Sequence, residues 1–140
     1  MVKIATTEAD IRRCLPAMLA LRPHLSEEQA LTQIPVQQEE GYTLAFVDAG
    51  ERVPAVIGYR IMHLLHTGKT LYIDDLSTLP EARGKGYAGM LLDFVIEQAR
   101  QAGCAYVTLD SGHSPQRYDA HRLYLTKRFN IVSHHFALPL

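Results

Sequence analysis

A chain of 140 residues, 47% hydrophobic and 21% charged, has an ordinary globular composition, which excludes collagen-like, low-complexity and disordered classes. Fourteen basic and fifteen acidic side chains leave a net charge of −1, so neither nucleic acid nor an anionic membrane is favoured as a partner. A chain this long buries roughly two-thirds of its unfolded surface, enough for one core but not for two full domains, a TIM barrel or a kinase.

Two cysteines, Cys14 and Cys104, make neither a disulfide framework nor a zinc quartet. No apolar h-region follows the first charge, and no stretch approaches the ~18 apolar residues of a membrane span. The expectation is one cytoplasmic domain over residues 1–140.

The elements follow in chain order. Val2–Thr6 reads as a short edge strand. Thr7, with Asp10 three residues on, offers an N-cap to a helix through Ile11–Leu21, which Pro23 stops. Ser26 and Gln29 form a capping box that opens a second helix to about Gln38. Tyr42–Val47 and Ala55–His63 are β-rich runs around the turn Asp48-Ala49-Gly50-Glu51, a predicted hairpin. Thr67-Gly68-Lys69 turns into a third strand, Thr70–Ser77.

The period then changes. Ala88, Leu91, Leu92, Val95, Ala99 and Ala102 share one helical face, and Gly103 sits where a C′ glycine belongs. Cys104–Leu109 alternates as a strand, Pro115–Lys127 reads as a last helix and Asn130–Leu138 as a closing strand. The order β-α-α-β-β-β-α-β-α-β describes a mixed α/β (α+β) domain. Its sheet begins with antiparallel strands and gains a right-handed parallel β-α-β crossover in the second half.

Gly84-Lys85-Gly86-Tyr87-Ala88-Gly89 matches G-x-G-x-x-G, and Asp110 follows at about the distance a dinucleotide fingerprint wants. The context argues against NAD. Six residues separate Ser77 from Gly84, the motif lies behind antiparallel strands, and too little chain remains for a doubly wound sheet. A broader reading survives. A glycine-rich loop entering a helix exposes backbone N–H groups to an anion, and Arg83 and Lys85 add positive charge. A pyrophosphate suits such a loop, against the plain alternative of glycines at tight turns.

Several motifs in register narrow the choice. Arg83-Gly84-Lys85-Gly86-Tyr87-Ala88 fits the R/Q-x-x-G-x-G/A element of the GNAT superfamily of N-acetyltransferases. Leu71–Ala82 resembles that family's strand running into a proline-containing turn. Ala120-His121-Arg122-Leu123-Tyr124 and Phe129 resemble its tyrosine-bearing helix and the aromatic that follows. The resemblance is strongest over residues 70–130. Two positions depart from the pattern: Arg128 stands where the family usually has Gly, and Arg117 where it often has Asn.

The resemblance implies an acyl-CoA N-acyltransferase fold with acetyl-CoA as cosubstrate and no metal. The pyrophosphate would rest on the N–H groups of Arg83, Gly84, Lys85, Gly86, Tyr87, Ala88 and Gly89. The pantetheine arm would pair with Leu76, Ser77 and Thr78 like an added strand. A primary amine would attack the thioester directly, and Tyr124 would protonate the leaving thiolate.

An alkylammonium must first lose a proton. Asp74 matches the family's water-relaying acid, with Asp75, a histidine or solvent as alternatives. Alternation places Asp74 and Asp75 on opposite faces of their strand. Asp75, His113 and Tyr42 are candidates for the acceptor site, and Glu39 and Glu40 lie near Tyr42. No trio among the seven histidines has metal-ligand spacing.

The expected partner is a small-molecule amine, with a homodimer left open. A protein or peptide amine acceptor and a non-catalytic acyl-CoA-binding or sensor module are the competing readings.

Overall fold

Thr7 and Ser26 start the two N-terminal helices as their spacing predicts. In the computed structural model, which describes residues 1–140, the Thr7 hydroxyl accepts the Asp10 N–H at 3.1 Å, and Asp10 reaches back to the Thr7 N–H at 3.2 Å. Ser26 and Gln29 exchange the same pair of bonds at 3.1 and 2.9 Å. The helices they cap are α1, Glu8–Leu21, and α2, Glu27–Glu39. Each carries an interior proline, Pro16 and Pro35, which costs a helix one hydrogen bond and about 3 kcal/mol. Burial of Cys14, Leu15, Ala17 and Met18 from α1, and of Ala30 and Ile34 from α2, offsets that cost.

The chain forms two compact units, Met1–Thr108 and Leu109–Leu140. The first holds β1 (Val2–Ile4), α1, α2, β2 (Tyr42–Val47), β3 (Ala55–Leu64), β4 (Gly68–Thr78) and α3 (Tyr87–Gln101), and all of β5 (Tyr106–Leu109) but its last residue. Spatial order follows chain order, β1-β2-β3-β4-β5; the first four strands are antiparallel, and β5 lies parallel to β4. Tyr42, Leu44 and Phe46 pack with α1 and α2, whereas Ala45 and Val47 alternate to the opposite face. Both faces of β2 are buried, so the sheet needs a second cover, and α3 supplies it with Leu91, Leu92, Val95 and Ala99.

Several predicted boundaries move by one or two residues. The first strand ends at Ile4, although Ala5 still donates to the Leu44 carbonyl at 2.8 Å. The turn before β4 falls at Leu65–Thr67, because Gly68 already pairs with Leu64.

Asp48 holds the end of the first hairpin. Lys3 approaches it at 2.5 Å and Arg13 at 2.8 Å, and these two hydrogen-bonding cations, Lys3 foremost, bring its carboxyl down to about 2. A lowered folded-state pKa contributes stability above the ordinary carboxylate range that is lost as pH falls through the folded value. Urea unfolding is therefore expected to show stability dropping between about pH 4 and pH 2, and Asp48→Asn to flatten that window. An unchanged pH profile in the variant would remove Asp48 as the cause.

The second unit contains a 3₁₀ turn, Pro115–Arg117, and α4, Tyr118–Thr126. The predicted closing strand Asn130–Leu138 does not form. Residues 130–140 have no regular structure, and Ile131, Val132, Phe136 and Leu138 are exposed. β-rich composition marks a segment able to pair, but a strand exists only when an edge pairs with it.

Arg128 has φ 73°, the left-handed conformation that the family's usual glycine adopts without strain. It ends α4 in a Schellman turn. The Phe129 N–H reaches the Tyr124 carbonyl at 3.0 Å, the Arg128 N–H reaches that of Leu125 at 3.0 Å, and the Tyr124 and Phe129 rings meet at 6.0 Å. A left-handed non-glycine costs about 1–2 kcal/mol, part of which glycine's freer unfolded chain takes back. Arg128→Gly is thus expected to stabilise by about 0.5–1 kcal/mol, read as a higher urea midpoint at unchanged m. A lower midpoint would contradict this account.

Candidate active site

Register on β3 and β4 sets the first part of the site. Gly58 pairs with Asp75 and Tyr59 with Ile73, so Asp74 is one residue too many, a β-bulge. Asp74 and Asp75 do not face opposite sides as strict alternation predicts. The bulge breaks the alternation, and both carboxylates line one cavity of about 450 Å³ walled by α1, α2, β2 and β4.

Both acids are ion-paired. Arg60 donates to both oxygens of Asp74, at 2.7 to 3.1 Å. Arg22 donates to Asp75 Oδ1 through Nε at 3.0 Å and Nη2 at 2.8 Å, and to the Asp74 carbonyl at 3.0 Å. Tyr42 Oη donates to Asp75 Oδ2 at 2.7 Å. Burial first, then the negative charge of Asp75, pushes the Tyr42 phenol well above its ordinary range, so it remains a donor.

Gly58 makes room for that ring: a Cβ there would lie 1.8 Å from Tyr42 Oη. Arg22, Arg60 and Gly58 are the residues that sequence reasoning missed. For Gly58 a signal existed, since a lone glycine inside a strand marks a bulge or a close approach. The two arginines carried no local signal.

The glycine loop lies past the C-terminal end of β4. Pro80–Ala82 forms a 3₁₀ turn, Arg83, Gly84, Lys85 and Gly86 are exposed, and Gly86 caps α3. Gly84 and Gly86 have φ 77° and 83°, and a Cβ on either would point into open space. The first helical bond runs from Met90 N–H to the Gly86 carbonyl at 3.0 Å, which leaves the amides of Tyr87, Ala88 and Gly89 without an intrahelical acceptor. Such a concavity of N–H groups, with Arg83 and Lys85 beside it, fits an anionic diphosphate.

β5 has four residues against eleven in β4. It begins beside Lys69, whose carbonyl accepts the Ala105 N–H at 2.8 Å. Counted in parallel from there, β5 ends before Leu76, so Leu76, Ser77 and Thr78 present a strand edge that β5 does not cover.

In the second unit Tyr124 is buried, which raises its phenol above the ordinary value, while a hydrogen-bonded Arg117 acts in the opposite sense. Arg117, in the family's asparagine position, thus contacts the tyrosine of α4. His113 lies on an exposed loop; its neighbours Ser111 and Gly112 are tied to His121 Nε2 at 3.1 and 2.7 Å. Glu39 and Glu40 are exposed and outside the cavity wall. No group of three or more His, Cys, Asp or Glu is gathered as for a metal ion, and no helix is long and apolar enough to cross a membrane.

The model of the Acetyltransferase (GNAT) family matches residues 8–130. The chain belongs to this family. Its similarity to a Bacillus subtilis protein named as an uncharacterized N-acetyltransferase, YhdJ, is 36% identity over 99% of this chain and 98% of that one. An aminoalkylphosphonate N-acetyltransferase of Salmonella typhimurium is 35% identical over 80 residues, 57% of this chain and 51% of the relative. Among solved structures, an aminoglycoside N-acetyltransferase in complex with CoA superposes with TM-score 0.82 at 14% identity, covering 100% of this chain and 95% of that one. GNAT membership makes the chain an acyltransferase of a family that uses acetyl-CoA. In a GNAT enzyme G-x-G-x-x-G is no dinucleotide fingerprint, and here a 3₁₀ turn separates the strand from the glycines.

Proposed function

We propose that the chain transfers the acetyl group of acetyl-CoA to the primary amine of a small molecule bound between α1, α2 and β4. The carrying observation is the cavity itself, whose roughly 450 Å³ is the volume of a small-molecule site. The acceptor named for the Salmonella relative, an aminoalkylphosphonate, is also small.

In this reading the amides of Arg83 to Gly89 hold the pyrophosphate, with the Arg83 and Lys85 side chains alongside. Leu76, Ser77 and Thr78 pair with the pantetheine amides, and a backbone N–H near Leu76 receives the oxyanion. The amine nitrogen bonds to the thioester carbon, the tetrahedral intermediate collapses with cleavage of the C–S bond, and the nitrogen releases its second proton to water. Tyr124 protonates the departing sulfur, and its raised pKa keeps that proton available at neutral pH.

The ammonium proton leaves first, through water ordered by Asp74; with Arg60 on both oxygens, Asp74 acts by positioning that water. Asp75 and Tyr42 shape the acceptor end, and His113 stands as a candidate in the second unit. Cys14 is no candidate nucleophile for an acyl-enzyme. It is buried, and desolvation pushes its thiol up to about 12, which leaves no thiolate to attack.

The test is Tyr124→Phe. It is expected to lower kcat more than tenfold, with acetyl-CoA affinity by calorimetry unchanged. Equal kcat would remove Tyr124 as the acid.

A further inference from the structure

The charged wall of the cavity says more about the acceptor than its size does. Asp74, Asp75 and Arg22 line the cavity, Arg60 pairs with Asp74 from outside the lining, and the formal charges of the two ion pairs cancel. The carboxylate lone pairs are largely spent. Asp74 accepts three bonds from Arg60, and Asp75 accepts two from Arg22 and one from Tyr42. No other carboxylate lines the cavity. A simple diamine would therefore find no unpaired acid for its second ammonium group.

The exposed charge is the cation. Side-chain exposure is 11% for Asp75 and 20% for Asp74, but 41% for Arg22. Arg22 spends Nε and Nη2 on Asp75 and the Asp74 carbonyl, while its Nη1 makes no hydrogen bond within the protein. A guanidinium fixed on one side by a carboxylate, with one amino group left over, is pre-organised to take an anionic oxygen. His24 lines the same cavity and adds a second nitrogen donor.

We infer that the acceptor is zwitterionic, a short primary amine carrying a carboxylate or phosphonate that Arg22 Nη1 receives. Such a molecule is near neutral as a whole and enters a wall of balanced charge without an uncompensated ion. The inference rests on the acetyltransfer reading above, and it makes Arg22 a specificity-determining residue.

The experiment compares kcat/KM for β-alanine, 2-aminoethylphosphonate, n-propylamine and putrescine on the full chain, with acetyl-CoA binding measured separately by calorimetry. At least one anionic acceptor is expected to exceed propylamine and putrescine tenfold or more; which of the two does so identifies the anion. Arg22→Gln is expected to raise KM for that acceptor at least tenfold more than it raises KM for propylamine, and an equal rise for both would overturn the inference. If that variant does not fold, competition in the wild-type chain decides. Ethylphosphonate or propionate, which lack the amine, should inhibit competitively against the acceptor, and failure of both would overturn the inference.

Preference for propylamine or putrescine would also overturn it and leave acetyltransfer standing. Absence of acetyl-CoA binding would take both readings down. If acetyl-CoA binds and no amine in the set is acetylated, thermal protection decides: a larger shift with ethylphosphonate or propionate than with propylamine supports the zwitterion, and an equal or smaller one overturns it.

Discussion

Gly86→Val is expected to weaken acetyl-CoA binding at least a hundredfold while the chain still folds. Gly86 has φ 83°, and nothing of the protein lies within 4 Å of where its Cβ would be. The added side chain therefore meets no core atom. It stands instead in the space through which a pyrophosphate would reach the amides of Tyr87, Ala88 and Gly89. The left-handed backbone alone costs a non-glycine about 1–2 kcal/mol, so a suitable control carries the same strain elsewhere.

Gly103, at the far end of α3, supplies that control, with φ 75° and open space at its own Cβ. Calorimetry should find binding lost in Gly86→Val and retained in Gly103→Val, with similar unfolding midpoints. Acetyl-CoA affinity within threefold of wild type in Gly86→Val would refute the pyrophosphate-loop assignment.

Gly58→Ala produces the second large effect, by a different route. Its Cβ would lie 1.8, 2.3 and 2.5 Å from Tyr42 Oη, Cζ and Cε1, so the ring must move. Tyr42 is 3% exposed, with the Arg60 guanidinium 5.6 Å from its ring centroid. Displacement strips Asp75 Oδ2 of its donor and overpacks the strand interface. Together these cost about 2–4 kcal/mol.

A double-mutant cycle with Tyr42→Ala separates this collision from a general strand defect. Removing the ring should make Gly58→Ala much milder, with a coupling above about 1 kcal/mol. Additive effects would show that Gly58 serves something other than Tyr42. In activity, Gly58→Ala should raise acceptor KM and leave acetyl-CoA affinity alone, because the loop at Gly84–Gly89 is untouched.

Much of this was readable from local chemistry. Thr7 and Ser26 cap their helices through side chains three residues apart, and the apolar face Leu91–Leu92–Val95–Ala99 needs only helical period to be recognised. The glycines at 84 and 86 were legible for the same reason: a positive φ next to a helix start is a short-range requirement. The strained Arg128 was foreshadowed by the residue type standing where the family has glycine.

What depends on partners far along the chain was not. The segment Asn130–Leu138 has strand composition without forming a strand, because composition supplies no edge to pair with. Asp74 and Asp75 could be found as adjacent acids, but strict alternation separated them. The bulge opposite Gly58 brought them to one cavity.

The sequence by itself determined the element order, the glycine loop and the GNAT resemblance, since each rests on residues within a turn or two of one another. The tertiary structure alone decided that Arg22, 53 positions from Asp75, and Arg60, 14 from Asp74, would neutralise the two acids. Charge pairing depends on distance in space, and only folding brings those four side chains within hydrogen-bond reach.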